Sequence, residues 1–230
     1  MLRELLYPPR CLLCGQLVGL GKRLPLCANC DPGIYVPRGD RCLICSRPVE
    51  TAGGRCVSCR QQERRIRGRG SFLYQDGMRQ SVEDFKYNGM KEYAKGYALL
   101  MAYYDKDWIE AIENPFFVPV PIHTKRHRER GYNQAAELAR ALSKRLGAPL
   151  WEGLIRIRNT KPLQKMSAVQ RGKSLAGAFR VGEGEIPPKG TAVLVDDIYT
   201  SGSTVEACAA ALWEVRPEQE IRFWSLTIRA

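Results

Sequence analysis

No uncharged apolar run in the 230-residue sequence approaches the ~18 residues that a membrane-spanning helix needs. The opening stretch, MLRELLYPPRCLLCG, has neither the apolar core nor the small-residue cleavage site of an export signal. Membrane insertion is not expected, and a cytoplasmic protein is. GxxxxGK[ST] and GxGxxG are both missing, which excludes a nucleotide P-loop and the dinucleotide fingerprint. Histidine is scarce, with His123 and His127 the only two, and both stand among Lys125, Arg126, Arg128 and Arg130. That setting suits phosphate contact better than general-base work, although a surface loop without a role has the same composition. Acidic residues are absent between Gly153 and Gly182, where Arg156, Arg158, Lys161, Lys165, Arg171, Lys173 and Arg180 all carry positive charge.

The net charge is +12, and it is unevenly spread. Residues 1–70 hold 13 Lys/Arg against 5 Asp/Glu, while residues 71–230 hold 23 against 19. A polyanionic partner is one reading of such an excess, and a merely solvated surface is the other.

Eight of the nine cysteines fall into four CxxC pairs: Cys11/Cys14, Cys27/Cys30, Cys42/Cys45 and Cys56/Cys59, separated by 12, 11 and 10 residues. A CxxC turn presents two thiolates to one tetrahedral ion, and two turns complete a closed four-thiolate shell, so four pairs point to two structural Zn²⁺ sites. Disulfides would suit a secreted domain, which this chain does not look like. Apolar residues are sparse between the pairs and Gly and Pro are common, so metal binding must supply much of the folding free energy of this segment. Pairing first with second and third with fourth closes the shortest loops; a crossed arrangement stays open. Cys208 stands apart in a helical stretch and reads as a small core residue. Five arginines follow the last pair, Arg60, Arg64, Arg65, Arg67 and Arg69, as either a grip on a nucleic-acid backbone or a solvated linker. The expected organisation is a double zinc ribbon over 1–60, a basic linker over 61–70 and an α/β domain over 71–230.

From residue 71 strands and helices alternate. Strands are expected at 71–75, 116–122, 191–197 and 221–228, and helices at 78–87, 91–112, 133–147 and 203–215. This order predicts a parallel sheet with crossover helices. The sharpest local signal is TAVLVDDIYTSGSTVEACAAAL. A buried strand delivers Asp196 and Asp197 at its C-terminal end, where open α/β sheets place ligands. The turn Thr200, Ser201, Gly202, Ser203, Thr204 then opens a helix, whose N-terminal amides form an anion cradle. A capping turn and a solvated acidic pair explain each half alone; the conjunction favours a diol or metal beside a phosphomonoester.

VLVDDIYTSGSTV resembles the phosphoribosyl pyrophosphate motif of type I phosphoribosyltransferases. With the zinc module, PVPIHTKRHRERGYNQA and QKMSAVQRGKSLAGAF, the whole chain resembles the ComF (competence protein F) family. The resemblance implies a type I phosphoribosyltransferase-like parallel sheet with flanking helices. It gives the ribose hydroxyls to Asp196 and Asp197, the 5′-phosphate to Thr200 through Thr204, and pyrophosphate with Mg²⁺ to the 121–133 loop with His123, Lys125, Arg126, Arg128 and Arg130. The acid-free 153–182 stretch matches in position the mobile loop that closes over the substrate in that fold; a merely basic excursion or a surface helix over SAVQRGKSLAGAF is the other reading. The resemblance also implies single-stranded DNA handling during natural transformation, with a helicase-type partner. An active transferase acting on a nucleobase without any DNA role remains the alternative. An acceptor-binding hood would come from about residues 71–93, where Phe85, Lys86, Tyr87 and Asn88 could meet a base, or from the zinc module.

Overall fold

The structure, a computed structural model, describes residues 10–18, 24–51, 53–62, 64–159, 170 and 174–229. From the last CxxC pair onward the elements run α1 (Val57–Gln61), β1 (Arg67–Leu73), α2 (Asp76–Tyr87), α3 (Tyr93–Tyr104), α4 (Lys106–Glu110), β2 (Pro115–Pro119), α5 (Thr124–Arg130) and α6 (Gln134–Leu146). There follow β3 (Leu154–Arg156), β4 (Phe179–Val181), β5 (Thr191–Tyr199), α7 (Ser203–Val215) and β6 (Glu220–Ile228). Four strands make a parallel sheet in the order β1-β6-β5-β2, and β3 and β4 form a small antiparallel pair. Among the described residues no helix is long and apolar enough to cross a membrane.

Strands of such a sheet are covered on both faces, which is why β5 reads as an unbroken apolar run, TAVLV, rather than an alternation. The side chains still alternate in space. Phe117, Val193, Val195, Trp224 and Leu226 enter one core with Met78, Phe85, Tyr97 and Leu138 from α2, α3 and α6. Phe116, Val118, Ala192, Leu194 and Phe223 enter the other with Val205, Cys208 and Leu212 of α7. Cys208 is fully buried there, as its small apolar character predicts. The cysteine module is divided between the cores. Cys11, Leu12, Leu13, Val18 and Leu26 belong to the first, and Cys42, Ile44, Cys45 and Cys59 to the second.

Several boundaries differ from expectation, each for a physical reason. The strand expected at 71–75 begins at Arg67, inside the stretch read as a linker. Gly68 and Gly70 make this possible: a Cβ on Gly68 would lie 2.1 Å from the Phe223 carbonyl oxygen, and one on Gly70 2.6 Å from Ile228 Cβ. The helix expected over 91–112 divides at Asp105, whose carboxylate turns inward. It accepts hydrogen bonds from Arg69 Nε (2.8 Å), Ser71 Oγ (2.6 Å) and Trp224 Nε1 (3.0 Å), joining β1 and β6 to the helix end. The strand expected at 116–122 stops at Pro119, and the basic loop beyond it folds into α5. β5 extends to Tyr199, carrying both aspartates within the strand.

Candidate functional site

The sulfurs of Cys11, Cys14, Cys27 and Cys30 gather in one group, and those of Cys42, Cys45, Cys56 and Cys59 in a second, all within 4.8 Å of one another in each. Sequence-adjacent pairs therefore come together, first with second and third with fourth. In both groups one sulfur pair spans 3.6 Å, Cys14–Cys27 and Cys45–Cys56. Four ligands at ~2.3 Å around a tetrahedral zinc lie about 3.8 Å apart. All-thiolate shells without an open position fit two structural zinc ions. In the second group the hydrogen bond from the Cys59 thiol outweighs burial and lowers Cys45 to about 5, while Cys59 is driven up.

At the C-terminal end of β5, Asp196 and Asp197 stand side by side, and the Asp197 N–H donates to Asp196 Oδ1 at 2.9 Å. Burial, and then the neighbouring Asp197 carboxylate, push Asp196 up to about 8, with Lys86 opposing the shift. Lys86 Nζ, from the end of α2, lies 2.9 Å from Asp197 Oδ2, and both side chains are only 13% exposed. The two carboxylates thus stand together against one lysine, with Asp196 shifted toward its protonated form. The sequence named Lys86 only as a possible contact to a base; the ion pair with Asp197 spans α2 and β5 and has no local signal.

Beyond Tyr199 the chain turns through Thr200–Gly202 into α7. Gly202 has φ +76°, and a Cβ there would sit 2.3 Å from the Tyr199 hydroxyl, so only glycine fits. No side chain caps α7. Its first amides are therefore available to an anion. Ser201 and Ser203 are buried with their hydroxyls 3.0 Å apart, whereas Thr204 lines the cleft.

That cleft, about 570 Å³, is shared by Asp196, Asp197, Thr204, Lys86, Tyr87, Arg126, Arg130 and Arg156, with Asn133 and Gln134 at its wall. Of the residues expected to meet pyrophosphate, Arg126 and Arg130 line it. Lys125 and Arg128 are exposed on α5 outside the lining, and His123 caps that helix, its Nδ1 accepting from the Lys125 N–H at 3.2 Å. Arg130 donates to Gln134 Oε1 (3.1 Å) and the Tyr87 hydroxyl (3.2 Å), with its guanidinium 5.0 Å from the centre of the Tyr87 ring. Arg156 comes from β3, held 5.3 Å over Phe179. Burial and then the charge of Arg126 lower its proton affinity, which places two cations close together on one wall. Lys161, Lys165, Arg171 and Lys173 lie outside the described residues.

The arginine run does not act as a unit. Arg69 is bound to Asp105, whose side chain is 1% exposed. A carboxylate so buried requires a cation, and this one takes Arg69 away from the surface. Arg64 is turned toward the Thr200–Thr204 turn, 3.4 Å from Ser203 Oγ, and also donates to Gln62 Oε1. Arg60, Arg65 and Arg67 are exposed.

Residues 2–60 match the family described as double zinc ribbon domain. The chain is 27% identical over 202 residues to competence protein ComFC of Bacillus subtilis, covering 82% of this chain and 78% of that one. It is 37% identical over 112 residues to competence protein F of Haemophilus influenzae, covering 47% and 48%. Among solved structures, adenine phosphoribosyltransferase from Saccharomyces cerevisiae overlays with a TM-score of 0.34 and 14% identity, over 58% of this chain and 68% of that one. The chain is thus similar to a double zinc ribbon domain at one end and, over most of its length, to a competence protein.

Proposed function

We propose that the chain binds phosphoribosyl pyrophosphate with Mg²⁺ in the cleft at the end of β5, and that this binding serves single-stranded DNA handling during DNA uptake in the cytoplasm. The observation that carries the reading is the convergence of Asp196, Asp197 and Thr204 with Arg126, Arg130 and Arg156 around one cavity. Two adjacent carboxylates can accept hydrogen bonds from both hydroxyls of a ribose diol. The uncapped start of α7 offers amides to the 5′-phosphate. The arginines on the opposite wall complement pyrophosphate, and Mg²⁺, when bound with it, supplies further charge neutralisation. The exposed Arg60, Arg65 and Arg67 offer phosphate contacts to a nucleic acid, consistent with the competence proteins the chain resembles.

One observation favours transferase activity. Tyr87, 63% exposed, stands at the cleft beside Arg130 and could face an acceptor base. In that case a nitrogen lone pair attacks C1, the C1–O bond breaks, and its electrons leave on pyrophosphate. Titration calorimetry with phosphoribosyl pyrophosphate tests the binding reading, and pyrophosphate release with nucleobases, with and without single-stranded DNA, tests the transfer.

A further inference from the structure

The first and third CxxC turns, Cys11/Cys14 and Cys42/Cys45, each opening one ribbon, are structural repeats. The Cys11 N–H donates to Gln16 O at 2.7 Å, and the Cys42 N–H to Arg47 O at 2.7 Å. Arg10 bridges Leu17 as Arg41 bridges Pro48, and Gly15 (φ 72°) and Ser46 (φ 67°) occupy the same left-handed position after the second cysteine. Gln16 and Arg47 are thus equivalent. Gln16 is exposed. Arg47 is partly buried and reaches into the phosphate turn: Nη2 donates to Thr200 O, Nε donates to Arg229 O at 2.6 Å, and Nη1 lies 3.8 Å from Cys56 Sγ. Its guanidinium also sits 5.9 Å from the Tyr199 ring centre, on the tyrosine that supports Gly202.

We infer that the second cysteine knuckle is a working part of the 5′-phosphate site, with Arg47 as the positioning residue that fixes the Thr200–Thr204 turn. This rests on the phosphoribosyl reading of the cleft. One planar fork spans a metal-ligand sulfur and the carbonyls on either side of the sheet end, a task that needs several donors in a fixed plane. Two neighbouring contacts tie the same turn and helix to the chain that leaves the ribbon. Arg64 donates to Ser203 Oγ, and Glu206 Oε1 accepts from the Arg65 and Ile66 N–H groups at 3.1 and 3.3 Å. The knuckle itself does not need an arginine at this position, because the first ribbon makes the same turn with glutamine.

Arg47→Gln therefore copies the first ribbon and should keep the knuckle. In the full-length, zinc-loaded chain, the expected result is unchanged zinc content and unchanged affinity for inorganic pyrophosphate. Affinity for ribose 5-phosphate should fall about tenfold, the loss of a charge-assisted hydrogen bond. Amide hydrogen exchange should speed up at Ser201–Thr204 and stay constant in the Cys11–Cys30 ribbon. Arg47→Lys, which keeps the charge and loses the fork, should behave like Arg47→Gln. Equal ribose 5-phosphate affinity and equal exchange in wild type and both variants would overturn the role of Arg47 while leaving the phosphoribosyl reading intact. A lysine variant matching the wild type would overturn the fork. A wild type that takes up neither ligand would remove the phosphoribosyl reading and this inference with it.

Discussion

The first cysteine ribbon packs on α2 and α3, on one face of the sheet, whereas the second packs against α7 and the end of β5, on the other. The first is held by the helices: Ser81 donates to Leu12 O, and Gly77 N–H donates to the Tyr35 hydroxyl at 3.2 Å. It steadies α2, whose last turn carries Lys86, the partner of Asp197. The second reaches the turn after β5 directly through Arg47. Two copies of one metal-binding motif thus brace two sides of one cleft, and a single position in the repeat, glutamine or arginine, separates indirect support from direct contact.

The largest expected effect breaks this pairing one metal at a time. Structural zinc contributes about 10–16 kcal/mol of apparent binding free energy in small zinc domains, so losing one ligand of either shell should release that ion. Cys45→Ser, at a fully buried sulfur, should lower the zinc content from two to one and abolish ribose 5-phosphate binding. Cys14→Ser, at an exposed one, should release one zinc and leave the larger part of that binding in place. Metal analysis alongside calorimetry reads both, and identical losses in the two variants would erase the distinction between the ribbons.

A middle-sized effect concerns the acidic pair that both ribbons surround. Asp196 is pushed from an ordinary carboxylate value of 3.8 up to about 8 in the folded chain. The folded state therefore holds a proton that the unfolded chain releases, so its contribution to stability is complete below about pH 4 and is lost as pH rises toward 8. Asp196→Asn should match the wild type in melting temperature at low pH and exceed it increasingly between pH 4 and 8. A gap that narrows with rising pH would contradict the assignment.

The smallest effect lies on the surface beyond the second ribbon. Replacing Arg60, Arg65 and Arg67 together by alanine should flatten the logarithmic salt dependence of single-stranded DNA binding by ~0.7 for each phosphate that is no longer neutralised. Arg64→Ala should leave the slope nearly unchanged, since Arg64 faces Ser203. Anisotropy across a salt series separates the two, and a slope indifferent to the triple change would move any DNA surface elsewhere.

Much of this was legible locally. β5 and α7 announce themselves because burial on both faces demands an unbroken apolar strand, and the left-handed turn at its end demands Gly202. Two four-thiolate groups follow from cysteine spacing, while which pairs join is decided only in the folded chain. What escaped was set by distant partners. Arg67–Gly70 reads as a basic linker because its strand character depends on Phe223 and Ile228 meeting bare glycines. Arg69 reads as surface charge because Asp105, its partner, is far along the chain. Lys125 and Arg128 look equivalent to Arg126 and Arg130 until α5 forms and turns two of the four toward the cleft. Arg47 carries no signal of its own, since only the folded chain brings Thr200 and Arg229 to it.

The central claim is that Asp196, Asp197 and the turn after them hold phosphoribosyl pyrophosphate. Titration calorimetry of the full-length chain with that ligand and Mg²⁺, repeated on Asp197→Asn, tests it most directly. The account predicts one ligand per wild-type chain, dependence on Mg²⁺, and a loss of roughly 1.5–3 kcal/mol in the variant, the worth of a charge-assisted hydrogen bond. No heat with the wild type, or equal affinity in the folded, zinc-loaded variant, would contradict it.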